Sequence, residues 1–225
     1  MTHYPFPDSR GTKIAFAAFF TAMLFLARDS MFTTAVIGFE KAQFLMLGVI
    51  CLLGVAFLIA NRRNLLQILK DRRMIVAGIA AAVLLLPMLV KRDWQLMYFS
   101  VLLCLLTAVF LSYFLTVREA AKYYVVILSV LGAYSVLAAY ILRIGVDRGA
   151  YAVPVFQNSM GFEFHNFFLS IVPDTYVKNR NFGIFREPGV YQFFLITALY
   201  LNNYEVEWKR PWQLWLVNGI LAATM

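Results

Sequence analysis

The fold is decided by the apolar run YYVVILSVLGAYSVLAAYIL, residues 123–142, which contains no charged side chain. A helix of this length and composition can cross the hydrocarbon core of a bilayer, which is about 30 Å thick. Similar runs recur along the chain of 225 residues, of which 62% are hydrophobic and only 14% are charged. A soluble domain needs only about half of its residues to be apolar, so the composition indicates an integral membrane protein.

The hydropathy pattern predicts an all-α, polytopic transmembrane helical protein with about seven spans. The whole chain, 1–225, is expected to form a single integral membrane domain. Cys51 and Cys104 lie within spans and are interpreted as small apolar side chains, because no disulfide or metal-ligand spacing surrounds them. The predicted spans are Ile14–Ala27, Ala42–Ala60, Met74–Val90, Trp94–Thr116, Tyr123–Leu142, Val190–Asn202 and the run from Trp212 onward.

The distribution of lysine and arginine predicts the orientation in the membrane. The connector 61–73 holds five cations, and the positive-inside rule places it in the cytoplasm. Alternation of the spans then makes the N-terminus cytoplasmic and the long loop 143–189 extracytoplasmic. That outer loop nevertheless carries arginines, which are disfavoured on its side. Their presence there suggests a use for positive charge, such as holding a phosphate.

The outer loop ends in the sequence RNFGIFREPGVYQFF, residues 180–194, which leads into an apolar helix. Pro188 suits the first position of that helix, and Glu187 then lies near its cap. An anion at this helix terminus would meet unpaired backbone N–H groups and the guanidinium groups of Arg180 and Arg186. Residues 180–194 therefore predict a pyrophosphate-binding site, in which Gly183 and Gly189 allow close approach of the backbone.

Each of these residues also has a simpler interpretation. Arg180 and Arg186 could bind lipid headgroups, since cations at helix ends commonly do so. Glu187 could serve only as a helix cap or as an ion-pair partner of an arginine. His165 has no partner at ligand spacing and could be an ordinary interfacial histidine. Its segment, 161–172, could form an interfacial helix or a re-entrant turn.

The pattern Arg180-x-x-Gly183, followed by Phe185-x-Glu187-Pro-Gly189, carries a resemblance to a known family. It is similar to the large extracytoplasmic loop of bacterial O-antigen and capsular polysaccharide polymerases of the Wzy type, with O-antigen ligases as more distant relatives. The order of helices, basic inner connectors and one long outer loop is similar too. Family members are longer and have a second outer loop, which leads us to expect that this chain is the N-terminal half of a larger GT-C-like enzyme.

The resemblance implies a metal-independent glycosyltransferase of the bacterial inner membrane that polymerises undecaprenyl-pyrophosphate-linked repeat units on the outer face. It implies that Arg186 and Arg180 stabilise the pyrophosphate leaving group and that Glu187 or His165 assists the acceptor hydroxyl. Expected partners are lipid-linked oligosaccharides, membrane lipids and a chain-length regulator, with no nucleic acid and no cofactor. The expected substrate-binding residues are Gly183, Pro188, Gly189 and Tyr191.

Two other functions stay open on the sequence. The first is an O-antigen ligase, which would use the same donor. The second is a polysaccharide transporter or flippase, although such proteins carry ionisable residues or broken helices within their spans. Here the charged residues concentrate in the outer loop, which favours catalysis at the membrane surface.

Overall fold

The computed structural model describes residues 10–26, 30, 38–60, 70–92, 101–102, 105, 108–109, 112, 115–157, 161–174, 181–185 and 187–225. The chain divides into two compact units. One consists of Met1–Lys13 with Glu40–Thr116, and the other of Ile14–Phe39 with Val117–Met225.

The described residues form helices and one small sheet. The helices are α1 (Arg10–Leu26), α2 (Phe39–Ala60), α3 (Arg72–Lys91), α4 (Val117–Leu137), a π-helix (Ala138–Leu142), α5 (Arg143–Asp147), α6 (Pro188–Tyr204) and α7 (Pro211–Thr224). The strands are β1 (Val155–Gln157), β2 (Glu163–Asn166) and β3 (Ile171–Pro173).

The prediction of an all-α protein with about seven spans is wrong. A three-stranded sheet is present, and only two helices among the described residues are long and apolar enough to cross a membrane: Arg72–Val90 and the continuous segment Val117–Asp147. Helices do lie at the other predicted runs, except that Trp94–Thr116 falls largely outside the described residues. However, α6 has 17 residues and therefore rises only about 25 Å, less than the hydrocarbon thickness.

The first unit contains α2 and α3. The start of α3 is set by Asp71, whose side chain accepts a hydrogen bond of 2.8 Å from the backbone N–H of Arg73. Such a cap satisfies one of the free N–H groups of the first turn. The side chain of Arg73 donates to the backbone carbonyl of Ser112. The exposed side chains of α3 are largely apolar, as expected of a helix that faces lipid.

The core of the second unit lies where α4, α6 and α7 pack together. A glycine permits a close approach of α4 to α7, because a methyl group at Gly132 would lie 2.8 Å from the hydroxyl oxygen of Thr224. Small residues at such crossings let helix backbones approach closely. The buried apolar residues of this core include Val125, Leu128 and Leu131 of α4, Leu195 and Ala198 of α6, and Val217 and Leu221 of α7.

The three strands form an antiparallel sheet in the order β1-β2-β3. In its register Phe164 faces Pro173 and His165 faces Val172. Neighbouring residues of a strand point to opposite faces, so this register gives the sheet two different surfaces. One surface packs Phe164 and Ile171 against Phe182. The other packs Val172, together with Phe167, against Ala138 of the π-helix. This strand–turn–strand arrangement replaces the interfacial helix that the sequence allowed for 161–172.

A polar network joins α6 to α7 inside otherwise apolar packing. Asn202 is fully buried, accepts a hydrogen bond of 2.7 Å from the indole N–H of Trp208 and donates one of 2.8 Å to the Oδ1 of Asn218. On the exposed side, the Nδ2 of Asn218 donates to the Oδ1 of Asn203 over 3.1 Å. Buried polar groups with their partners in place fix the register of the two helices.

Asn202→Ala is expected to lower the free energy of unfolding by about 1–3 kcal/mol, because the indole N–H of Trp208 and the side chain of Asn218 lose a buried partner. Thermal unfolding followed by circular dichroism in detergent measures the loss. Asn203→Ala is the matched control: it removes an exposed amide from the same network and should cost less than about 1 kcal/mol. Equal losses in the two variants would show that burial of Asn202 does not determine its contribution.

Candidate functional site

The N-terminus of α6 lies where the sequence predicts it. Pro188 is its first residue, and Glu187 occupies the cap position with extended backbone angles. The side chain of Glu187 makes no capping hydrogen bond to the helix. Arg180 and Arg186, the two arginines of the predicted site, lie outside the described residues. The structure describes the segment between them, from Asn181 to Phe185.

A serine of α4 and an asparagine anchor the start of this segment. The Nδ2 group of Asn181 donates to the hydroxyl oxygen of Ser135 over 2.8 Å, and the backbone N–H of Gly183 donates to the Oδ1 of Asn181 over 3.0 Å. The same amide nitrogen of Asn181 lies 3.4 Å from the carbonyl oxygen of Thr224 on α7. Ser135 is fully buried. The residue that follows Arg180 is therefore held by both α4 and α7.

The anchor extends to the first turn of α6 through Tyr191. The hydroxyl groups of Ser135 and Tyr191 are 3.2 Å apart. Burial raises the pKa of the Tyr191 phenol to about 12, although its hydrogen bond with Ser135 acts in the opposite direction. Tyr191 is therefore a neutral hydrogen-bonding group at physiological pH. The sequence predicts that Tyr191 binds substrate. Its side chain is almost completely buried, however, and presents almost no surface to a ligand.

Gly183 is required by the position of the Tyr191 ring. Its φ angle is +54°, in the left-handed region, and a methyl group built on it would lie 2.7 Å from two ring carbons of Tyr191. Only glycine accommodates both conditions. A methyl group built on Gly189, by contrast, would meet no atom within 4 Å. The sequence predicts a close approach of the backbone at both glycines, and of these two only Gly183 shows it.

The end of the segment is fixed by aromatic packing and by the sheet. Phe185 is fully buried, and its ring stacks on those of Tyr191 and Phe194, with centroids 5.4 Å and 4.5 Å away. The carbonyl oxygen of Gly183 accepts a hydrogen bond of 2.7 Å from the backbone N–H of Ile171 on β3. The residue that precedes Arg186 is therefore fixed as well.

His165 lies in a different cluster, on the face of the sheet that packs against the π-helix. Its Nε2 is 3.4 Å from a carboxylate oxygen of Asp174, and its buried Nδ1 has no hydrogen-bond partner among the described residues. Gly183 and Phe182 adjoin the sheet through Ile171 and Phe164, which belong to the opposite face. The structure thus brings Gly183 against Tyr191, in the first turn of the helix that begins with Glu187, Pro188 and Gly189, but does not group His165 with these residues.

The buried Arg143 organises the cluster around His165. Its guanidinium group donates to the carbonyl oxygens of Pro173 and Asp174 over 2.9 Å and 2.8 Å. It also lies 3.7 Å from the carboxylate of Asp174 and 3.6 Å from that of Asp147. Only 9% of Arg143 is exposed. An arginine with this many acceptors holds the end of β3 against α5.

Sequence reasoning did not assign Ser135, Asn181, Arg143 or Asp174 to any site. Ser135 is one of two serines in the apolar run 123–142, and a hydroxyl group in such a run indicates no more than an ordinary contact between helices. Arg143 joins Asp174 only because the π-helix and the sheet bring them together, and neither element has a signal in the hydropathy pattern. Among the described residues, no group of three His, Cys, Asp or Glu side chains could hold a metal ion.

Comparison of the chain with protein-family models, with curated proteins and with solved structures finds no match.

Gly183→Ala is expected to lower the free energy of unfolding by about 2–4 kcal/mol, since the methyl group overlaps the Tyr191 ring and the left-handed backbone becomes strained. Thermal unfolding gives the stability, and hydrogen exchange at the amide of Phe185 reports whether the segment loosens. Gly189→Ala, in open space two residues before Tyr191, should change stability by less than about 0.5 kcal/mol. A Gly183→Ala protein as stable as wild type would contradict the close packing.

Arg143→Gln is expected to lower the free energy of unfolding by about 2–4 kcal/mol, because two carbonyl groups and a partly exposed carboxylate lose their partner. Hydrogen exchange should rise at the amide of Asp174, which pairs with Glu163 across the hairpin. Arg148→Gln, a substitution of an exposed arginine shortly after α5, is the control and should leave that exchange rate unchanged. Unchanged exchange in Arg143→Gln would show that Arg143 does not hold β3.

Proposed function

We propose that this chain forms part of a membrane-bound, metal-independent glycosyltransferase that polymerises undecaprenyl-pyrophosphate-linked oligosaccharide repeat units. The product would be O-antigen, capsule or exopolysaccharide, made on the outer face of the bacterial cytoplasmic membrane. The observation that carries the proposal is the anchored segment Asn181–Phe185, which leads directly into the N-terminus of α6.

Anchoring matters because a leaving-group site must be built before the substrate arrives. The donors of such a site stabilise developing charge only if they need no reorganisation during the reaction. Asn181 and Phe185 are each fixed by buried contacts, and each adjoins one of the arginines in sequence. The N-terminus of α6 adds backbone N–H groups and the positive end of the helix dipole.

The reaction requires attack by an acceptor hydroxyl on the anomeric carbon of the donor glycan. The bond from that carbon to the pyrophosphate oxygen breaks, undecaprenyl pyrophosphate leaves, and the hydroxyl proton passes to a base or to water. In this scheme Arg186 and Arg180 bind the pyrophosphate through paired N–H groups, which suit phosphate oxygens better than a lysine does. The start of α6 at Pro188 and Gly189 lines the approach of the donor, whereas the buried Gly183, whose N–H and C=O are both paired, fixes the shape of the segment that leads to it.

Glu187 is the better candidate than His165 for assisting the acceptor hydroxyl. It occupies the cap position of α6, beside Pro188 and next to Arg186 in sequence, without a capping hydrogen bond from its side chain, whereas His165 lies beside Asp174 on the far face of the sheet. A carboxylate at this position can accept the proton or orient the hydroxyl.

Location in the membrane is part of the proposal and is supported by two helices. Arg72–Val90 and Val117–Asp147 have the length and hydropathy for crossing a bilayer, and only 11% of the former is buried within the fold. Apolar surface left exposed on this scale is expected to meet lipid. We propose a bacterial inner-membrane location with the N-terminus in the cytoplasm.

The proposed role of Arg186 is tested by a polysaccharide ladder assay in the source bacterium. A deletion of the full-length gene is complemented with wild type, Arg186→Lys or Arg186→Ala. Loss of the guanidinium fork should reduce polymerisation by about 10²-fold or more, leaving single-repeat glycan. Arg148→Lys, which alters an exposed arginine of the same loop, should restore the full ladder. Protein level is matched by immunoblot.

The outcomes separate the proposed function from its rivals. A normal ladder in Arg186→Ala at matched protein level would exclude the leaving-group role. A deletion that still makes long chains on the lipid carrier but does not transfer them would favour a ligase. Failure of lipid-linked repeats to reach the outer face in the deletion would favour a flippase.

A further inference from the structure

The hairpin formed by β2, the turn Phe167–Ser170 and β3 lies lengthwise along the candidate membrane helix Val117–Asp147. At its open end, Pro173 and Asp174 bind Arg143. In its middle, Val172 packs against Ala138. At its turn, the carbonyl oxygen of Phe167 accepts a hydrogen bond of 2.6 Å from the Tyr134 hydroxyl.

These contacts define how the hairpin is oriented along the helix. Arg143 and Asp147 mark the charged end of the helix, whereas Tyr134 lies about 13 Å further toward its apolar middle by helical rise. The open end of the hairpin therefore adjoins the charged end of the helix, and the turn adjoins apolar sequence. If residues 123–142 of the helix cross the membrane, the turn lies inside the end of the span, at the level of Tyr134 and Ser135 and of the segment Asn181–Phe185 that Ser135 anchors.

Backbone amides of the turn are paired within the protein, as such a location requires, although the buried Oγ of Ser170 has no hydrogen-bond partner among the described residues. Backbone N–H groups in hydrocarbon must find partners within the protein, because no water is available. The N–H of Phe167 donates to the carbonyl of Ser170, and that of Leu169 donates to the carbonyl of Phe167, each over 2.9 Å. The N–H of Phe168 donates to the side chain of Asn166, also over 2.9 Å. Three successive amides at the turn are thus satisfied.

Phe168 occupies the outward position of the turn. Its φ angle is +69°, in the region that favours glycine or asparagine, yet it carries a large ring that is 72% exposed. The next residue, Leu169, packs inward on the core of the α4, α6 and α7 bundle. A large apolar ring held outward by a backbone conformation that residues other than glycine rarely adopt is available for contact with a partner outside the protein.

We infer that the turn Phe167–Ser170 is a re-entrant element that inserts into the lipid bilayer beside α4, with the ring of Phe168 in contact with acyl chains. Lipid is the partner because the helix that positions the turn continues its own exposed apolar surface there, through Val130, Leu137 and Ile141. The inference rests on the membrane location within the proposed function, but not on the glycosyltransferase activity.

The test measures depth at single positions in the full chain. In a background lacking Cys51 and Cys104, Phe168→Cys is labelled with the environment-sensitive fluorophore NBD and reconstituted into phosphatidylcholine–phosphatidylglycerol vesicles. We expect blue-shifted emission and quenching by lipids brominated on their acyl chains, with protection from aqueous iodide. Val130→Cys, at an exposed apolar position of α4, is the membrane control, and Gln157→Cys, on the exposed strand β1, is the aqueous control.

The outcomes distinguish failure of the proposed insertion from failure of the membrane location. Quenching by brominated lipid at Val130→Cys but not at Phe168→Cys overturns the inference and points to a water-exposed ring that could stack on glycan. Absence of quenching at both positions overturns the membrane location itself. Hydroxyl-radical footprinting of the wild-type chain in nanodiscs provides a check without substitution at the turn: Tyr151, beyond the end of the helix, should be oxidised and Phe168 should not. Comparable oxidation of the two rings also overturns insertion.

Discussion

The hydrogen bonds of Ser135 are the constraint on which the proposed site depends. One hydroxyl group on α4 contacts both Asn181, at the start of the loop segment, and Tyr191, in the first turn of α6. Because Ser135 is fully buried, neither partner can be replaced by water without cost. The loop, the start of α6 and the helix bundle are therefore positioned relative to one another by one small polar group. Burial of Phe185 and the close contact of Gly183 with Tyr191 depend on the same arrangement.

Part of this architecture follows from the sequence. Long apolar runs predict helices, and the structure has helices at most of them. The start of α6 at Pro188 also follows, since a proline lacks an N–H and suits the first helical position. The number of membrane spans cannot be derived from the sequence in the same way. An apolar helix can be buried in the protein or in lipid, and its hydropathy is the same in both cases. Helix α6, for example, is apolar but shorter than the hydrocarbon core, and parts of α6 and α7 pack into the bundle.

The position of His165 shows a second limit. A histidine in an aromatic stretch can be placed on a helix or on a strand by sequence, and the face that it occupies depends on strand register. In the observed register His165 shares a face with Val172, so it packs toward the π-helix, while Phe164 and Ile171 pack toward the loop. A shift of one residue would reverse this arrangement. Register is set by the buried partners of the sheet, which lie far away in sequence.

The π-helix Ala138–Leu142 determines how much of the hairpin one helix can hold. Arg143 follows Tyr134 by nine residues, which in an uninterrupted α-helix would place the two side chains about 180° apart around the axis. A π-turn contains an extra residue, and the residues after it are rotated back by about 100°, which leaves Tyr134 and Arg143 about 80° apart. The wider turn therefore brings Tyr134 and Arg143 closer to the same side of the helix. It allows one helix to keep its contacts with the hairpin from Tyr134 at the turn to Arg143 at the base.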